Sequence, residues 1–419
     1  MNYKLKYFLY FLLGLLILYF TPYGLKTKEY SSKLKNIYYS LFPLNLSVDI
    51  CDPLENDIKY LIKNDLHKWS ISIINSNNNL VVDINGDLLR IPASNQKLFS
   101  TAYALDILGP NHRFSTKLYK NIDSHYKIIG SGDPDLSLDH LKTLSNVLLA
   151  DVSKYSNNTF AQINIYDTPT THWWPSSWPI ADRYQAYGAP ITRLALTSNS
   201  NEFSILNPTK RFSNSLKQIL SNHNVATKIN NFTPNKFKNE SDRLLVNIQS
   251  APLYALLGLA NAESHNFTSE ILLRNASSSW DAKIATNKLS NWTRNLGINN
   301  KTFIFRDGSG LSRSNLVTTN TVVKLLLRMK EHKHFSYYLS SLSIPGIRGT
   351  LKSYNWPVED YTLFAKTGTL TDVRSLSGYL LSNDKIISIS FITNGIYNSE
   401  DNFSNILYLI LRNHRCLFD

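Results

Sequence analysis

An α+β fold interrupted by a strand-rich insertion is what this chain predicts, on three observations. Helical periods and strand-like runs are mixed at both ends of the chain, Asn- and Ser-rich turns break the middle into short strand-like runs, and helical signals return at Ser250. At 419 residues, with 43% hydrophobic and 12% aromatic residues, the chain can bury substantial cores and is not disordered. Its formal charge of +13 is scattered, with no nucleic-acid motif. The charge suits an anionic envelope polymer or membrane surface, or reflects only a Lys-rich composition; nucleic acid is not expected as a partner.

Residues 1–25 read as a signal peptide or signal-anchor. Lys4 and Lys6 precede an apolar run from Tyr7 to Phe20 that Thr21-Pro22 ends. No small-x-small cleavage site follows, which favours an uncleaved anchor over a cleaved peptide and puts the remaining chain outside the cytoplasm. Residues 26–48, polar and tyrosine-rich, read as a tether. The two cysteines, Cys51 and Cys416, could pair in such a compartment, and the sequence leaves this open. Neither has a Cys or His neighbour at ligand spacing, so no metal site is expected.

The first stretch of the main domain, residues 49–111, opens with a short helix from Pro53 to Lys63. Trp69–Ile74 and Leu80–Ile84 then read as a hairpin turning through Asn77-Asn78-Asn79. Next comes Pro92-Ala93-Ser94-Asn95-Gln96-Lys97-Leu98-Phe99. Leu98, Ala102, Leu105 and Leu108 keep a helical period until Gly109-Pro110, so Ser94 and Lys97 share a face about one turn apart. A hydroxyl needs a base to become a nucleophile, and an amine held in a crowded pocket is neutral enough to be one. The spacing alone is weak, because Ser32 and Lys35 repeat it where nothing suggests a site.

Residues 112–247 form the insertion. Its turn-rich Gly130-Ser131-Gly132-Asp133-Pro134-Asp135-Leu136 and its aromatic stretch from Trp173-Trp174-Pro175 to Trp178-Pro179 are expected as loops packed over a β-rich module. The main domain resumes over residues 248–419. Ser250 reads as an N-cap with Pro252 in the first turn and Leu253, Leu256, Leu257 and Ala260 on one face. Ser264-His265-Asn266 falls between that helix and another around Ile271, Leu272 and Arg274. Glycine turns follow at Arg306-Asp307-Gly308-Ser309-Gly310-Leu311-Ser312-Arg313 and at Pro345 to Leu351. In Phe364-Ala365-Lys366-Thr367-Gly368-Thr369-Leu370 the glycine leaves room for a ligand backbone along a strand edge. Strands at Ser375–Leu381 and Lys385–Thr393 and a helix from Asp401 to Arg412 close the chain.

In this order, Ser94-x-x-Lys97, Ser264-x-Asn266 and Lys366-Thr367-Gly368 resemble the three-part signature of penicillin-binding proteins and serine β-lactamases. The closer resemblance is to the class C low-molecular-mass penicillin-binding proteins, the penicillin-binding protein 4 type of D-alanyl-D-alanine carboxypeptidase/endopeptidase. It runs from about Trp69 to Phe391 and includes Gly132-Asp133-Pro134, Tyr187-Gly188-Ala189-Pro190, Glu270, Leu272-Leu273-Arg274, Asp307 to Arg313 and Gly349-Thr350-Leu351. It implies a β-lactamase/transpeptidase-like domain, a five-stranded antiparallel sheet plus a helical cluster, with a β-rich domain inserted between the first two motifs.

The resemblance also implies a serine-type D-Ala-D-Ala carboxypeptidase, with DD-endopeptidase activity left open, that acts on peptidoglycan stem peptides, is inhibited by β-lactams and needs no cofactor. Ser94 is then the nucleophile, Lys97 its base and Ser264 a proton relay, while Asn266 holds Lys97 and the substrate amide. Lys366, Thr367 and Thr369 bind the terminal carboxylate beside Gly368, and the N–H groups of Ser94 and Thr369 form the oxyanion hole. Asp167 and Arg313 match an Asp and an Arg that hold the stem's diamino acid. His265 departs from the usual acidic residue, which implies altered rates with activity kept. The expected location is the periplasm or cell envelope, tethered to the inner membrane by the N-terminal segment. A weakly active peptidoglycan-binding scaffold and a β-lactamase remain the rival readings.

Overall fold

The computed structural model describes residues 44, 46–123, 125–154, 160–233, 242–354, 361–382, 385–397, 400–412 and 416–417. The signal segment and most of the tether lie outside these residues. Among the described residues no helix is long and apolar enough to cross a membrane.

The main sheet has five antiparallel strands, as expected, in the order Asn79–Ile84, Trp69–Ile74, Lys385–Asn394, Val373–Ser382 and Thr362–Leu370. A sixth, two-residue strand, Ser47–Val48, pairs parallel to Asn79 and Leu80. The end of the expected tether is therefore part of the sheet, because the outer strand's free N–H and C=O groups take a partner there. Both faces of the sheet are covered, which is why Trp69–Ile74 is buried at every position. On one face lie helices Asp52–Leu61 and Glu400–Arg412, through Leu54, Ile58, Ile406 and Ile410. Cys51 and Cys416 form a disulfide there, with Cα atoms 5.8 Å apart, and join the two ends of the domain.

On the opposite face lies the helical cluster. At its centre is Gln96–Leu108, buried without interruption from Gln96 to Leu105. Such a helix has no polar face to offer solvent and sits inside the cluster. Leu253–Asn261, Asn266–Ala276, Ala282–Asn295 and Thr319–Lys330 surround it through one continuous apolar core.

The insertion carries a second five-stranded sheet, in the order Ala226–Phe232, Phe160–Tyr166, Tyr126–Gly130, Arg113–Lys120 and Arg243–Pro252. It is strand-rich, as expected, and also holds two amphipathic helices that the pattern reading passed over. Leu138–Val152 buries Leu141, Leu144 and Leu148, and Pro208–Ser221 buries Phe212, Leu216 and Leu220. These helices allow the crossovers that make Phe160–Tyr166 parallel to both of its neighbours.

Two expectations are corrected. Ser250 is not an N-cap: its strand continues to Pro252, paired with Arg113, and its hydroxyl accepts the Phe114 N–H at 2.9 Å. The helix begins at Leu253. The aromatic stretch does not lie over the insert's sheet but turns back onto the main domain, where Trp178 Nε1 donates to Asp307 Oδ2 at 2.8 Å.

Candidate active site

Ser94 sits in a tight turn, Ala93–Asn95, that runs straight into the buried helix Gln96–Leu108. Ala93 takes a left-handed φ of 48°, a conformation costly for any residue with a side chain. Gly310 (φ 85°) packs so closely that a Cβ on it would lie 1.9 Å from the Ala93 carbonyl oxygen, and on the other side Ser375 Oγ donates to Pro92 O at 2.7 Å. The turn is clamped between these two contacts.

One turn further on, the Lys97 side chain is fully buried. Its Nζ lies 2.9 Å from Ser94 Oγ and donates to Asn266 Oδ1 and to the Ser309 carbonyl, both at 2.6 Å. Burial brings the amine from its usual 10.5 down to about 7, with Asp307 and Glu270 opposing that fall. Asn266 Oδ1 and the Ser309 carbonyl can only accept, so they occupy two N–H bonds of a neutral amine. The remaining lone pair faces the Ser94 hydroxyl, which is the arrangement a general base needs.

Ser264 and Asn266 come from the junction Leu253–Asn261 to Asn266–Ala276, as the sequence predicted. Ser264 has a left-handed φ of 58° and lines the same cleft as Ser94. Asn266 holds Lys97 through its oxygen and the insert through its nitrogen, donating to Tyr187 O at 2.9 Å. His265 turns away, with Nδ1 2.7 Å from Thr268 Oγ1; burial, with a smaller contribution from Lys97, lowers it to about 4, so it is neutral at pH 7.

Lys366, Thr367, Gly368 and Thr369 lie on the edge strand Thr362–Leu370. A Cβ at Gly368 would stand 2.9 Å from both Pro92 O and the Ser94 backbone nitrogen. Glycine lets the strand approach the Ser94 backbone. Lys366 is fully buried and donates to Thr367 O at 2.8 Å; burial and the nearby Lys97 hold its amine well below the usual lysine value. Thr367 Oγ1 lies 2.6 Å from Thr350 Oγ1, and Thr369 lines the cleft.

Behind these residues are two buried acids whose roles the sequence reading did not assign. Asp307 accepts from Gly310 N, Ser312 N, Asn315 Nδ2 and Trp178 Nε1, which fixes the glycine turn. Glu270 Oε1 accepts from Gly308 N at 2.8 Å and Ser309 N at 2.9 Å, and burial with the Asp307 charge pushes its carboxyl well up.

The cleft has a volume of about 560 Å³ and brings Ser94, Ser264, Asn266, Thr369 and Arg313 together. Asp167 is not among them. It is buried in the insert, where Oδ1 accepts from Thr168 N at 2.6 Å and Arg193 N at 2.7 Å; burial pushes its carboxyl up to about 6. The insert carboxylate that does face the cleft is Asp182, bonded to Tyr187 Oη at 2.9 Å. Its only signal in the sequence was its place after Trp178-Pro179. Arg313 reaches the cleft wall paired to Asp372 at 2.8 Å.

Known proteins were compared with the chain. The model of the D-Ala-D-Ala carboxypeptidase 3 (S13) family matches residues 59–211 and 199–407. A D-alanyl-D-alanine carboxypeptidase of Actinomadura sp. strain R39 is 24% identical over 73% of this chain and 73% of its own length. The crystal structure of penicillin binding protein 4 from Haemophilus influenzae superposes with a TM-score of 0.73 at 20% identity, over 85% of this chain and 99% of that one. A predatory peptidoglycan endopeptidase from Bdellovibrio bacteriovorus gives a TM-score of 0.51 at 18% identity, over 83% of this chain and 92% of its own. These two likenesses establish the shared fold.

Proposed function

The chain belongs to the D-Ala-D-Ala carboxypeptidase S13 family, and from that premise we infer how its residues divide the work of a serine-type, penicillin-binding hydrolase. The observation that carries the assignment is the Lys97 amine, held by two acceptors with its third direction on Ser94 Oγ. Neutral Lys97 takes the hydroxyl proton as Ser94 Oγ attacks the carbonyl of the penultimate D-Ala. The oxyanion settles between the N–H groups of Ser94 and Thr369, a reading supported by the closeness of the Gly368 strand to the Ser94 backbone. Ser264 relays that proton from Lys97 to the amine of the departing D-Ala, which leaves Lys97 neutral again. Lys97 then takes a proton from the water that attacks the ester and returns it to Ser94 Oγ as the acid departs.

Lys366, Thr367 and Thr369 hold the terminal carboxylate. A carboxylate arriving beside the buried Lys366 favours its charged form, so substrate brings the charge pair into being. Asp182 and Arg313 flank the cleft where a diamino acid of the stem peptide would lie, Asp182 in the part first given to Asp167. The enzyme works outside the cytoplasm, held at the membrane by its N-terminal segment. That reading is supported by the lysine-flanked apolar run and by the Cys51–Cys416 disulfide, which persists in an oxidising compartment.

The test is D-Ala release from a stem pentapeptide ending in D-Ala-D-Ala. Release by the wild type that Ser94→Ala abolishes supports the assignment. Retention on peptidoglycan without release would favour the scaffold reading.

A further inference from the structure

We propose that Glu270 is a positioning residue for the catalytic amine: it holds the Gly308–Ser309 peptide so that the Ser309 carbonyl meets Lys97, and its charge helps set how readily that amine gives up a proton. The proposal rests on the assignment of Lys97 as the base of Ser94. The connection is direct, because the residue whose N–H is bound by Glu270 Oε1 at 2.9 Å is the one whose carbonyl takes a Lys97 proton at 2.6 Å. The Gly308 N–H is bound by the same oxygen at 2.8 Å, and the Gly308 carbonyl is held by Ser100 Oγ at 2.6 Å and Ser269 Oγ at 2.7 Å. Both amides and both carbonyls of this dipeptide are thus engaged, and its orientation is fixed.

A carboxylate is an expensive way to hold a turn. Glu270 is fully buried, and burying an acid without a direct ion pair costs free energy that a neutral acceptor of the same shape would avoid. Its charged surroundings explain what the acid adds. Lys97 is faced by Asp307 from the glycine turn, Glu270 from helix Asn266–Ala276, Lys366 from the edge strand and His265 from the helix junction. Of these, Lys366 is held towards its neutral form until substrate arrives, His265 is neutral, and only the two acids favour the ammonium. Glu270 is in turn faced by Asp307, which with burial pushes its carboxyl up to about 7, and, one turn along its own helix, by Arg274, which favours its charge. It therefore gains that charge over the pH range in which Lys97 loses its proton. Without an acid behind it, a fully buried amine would hold a proton too weakly to take one from the Ser94 hydroxyl. Asp307 spends its oxygens on five donors, Gly310 N, Ser312 N, Asn315 Nδ2, Trp178 Nε1 and Ser309 Oγ, whereas Glu270 Oε1 binds both N–H groups of the peptide on Lys97.

The test is the second-order rate of acylation by a fluorescent penicillin, followed against pH for wild type, Glu270→Gln and Glu270→Ala. Glutamine keeps an acceptor for the two N–H groups and removes the charge. Its rising limb is expected at lower pH by about half a unit or more, with a plateau within a few-fold of wild type. Alanine removes the acceptor as well, and its plateau is expected to fall by about tenfold or more. A Glu270→Gln profile that superimposes on wild type overturns the inference, even if Glu270→Ala does not fold. Wild-type protein that is never labelled would instead overturn the assignment of the active site itself.

Discussion

Gly368 and Ser94 meet backbone to backbone: a methyl group on the glycine would lie 2.9 Å from the serine's amide nitrogen. The edge strand and the Ser94 turn therefore share one surface, and the oxyanion hole proposed between the Ser94 and Thr369 N–H groups requires that no side chain stand between them. Gly368→Ala should push the two apart. Acylation is expected to fall about 100-fold, the scale of a 1 Å misplacement, with a loss of about 1–3 kcal/mol in stability from overpacking. Acylation kinetics beside a denaturant melt check this. Wild-type rates would mean that the contact does not set the geometry.

The pH dependence follows from Lys97. Burial brings its amine down to about 7, so in the proposed base role it is protonated and inactive below that pH and neutral and active above it. Acylation should rise with pH through about 7 and then level off. Lys97→Arg, which cannot lose its proton, should cost about 10²- to 10⁴-fold at every pH. A flat profile in wild type would remove Lys97 from the base role.

The resemblance implies an acid at position 265, yet His265 is neutral and turned towards Thr268. His265→Asp would place a negative charge within reach of Lys97, favour the ammonium and move the rising limb to higher pH. The plateau should stay within about tenfold of wild type. Loss of all activity in folded His265→Asp protein would show that the imidazole has a chemical part to play.

The disulfide joins Cys51, just before helix Asp52–Leu61, to Cys416, beyond helix Glu400–Arg412, and neither cysteine lines the cleft. Cys51→Ala/Cys416→Ala should lower unfolding stability by about 2–4 kcal/mol and leave acylation of the folded protein unchanged. Denaturant melts and labelling of the same samples check both halves.

Much of the site could be read in advance because each motif is local. Ser94 and Lys97 share a helix face, Ser264 and Asn266 a junction, and Lys366 to Thr369 a single strand. What could not be read depends on contacts between distant segments. Asp167 looked like a site residue, but its carboxylate is spent on backbone N–H groups inside the insert. Asp182 looked like loop, and it reaches the cleft only because Trp178 anchors its segment to Asp307. Glu270 lies in an apolar helix, and nothing in its neighbours shows that it faces the Gly308–Ser309 peptide. The insert's helices were lost among Asn- and Ser-rich turns, and the strand at Ser250 gave a false cap because Ser and Pro serve strand ends as well as helix starts.

The measurement that tests the account most directly is mass spectrometry of the folded protein after exposure to benzylpenicillin. The account predicts one covalent adduct, on the peptide carrying Ser94, absent from Ser94→Ala. An unmodified wild-type protein, or an adduct on any other residue, would contradict it.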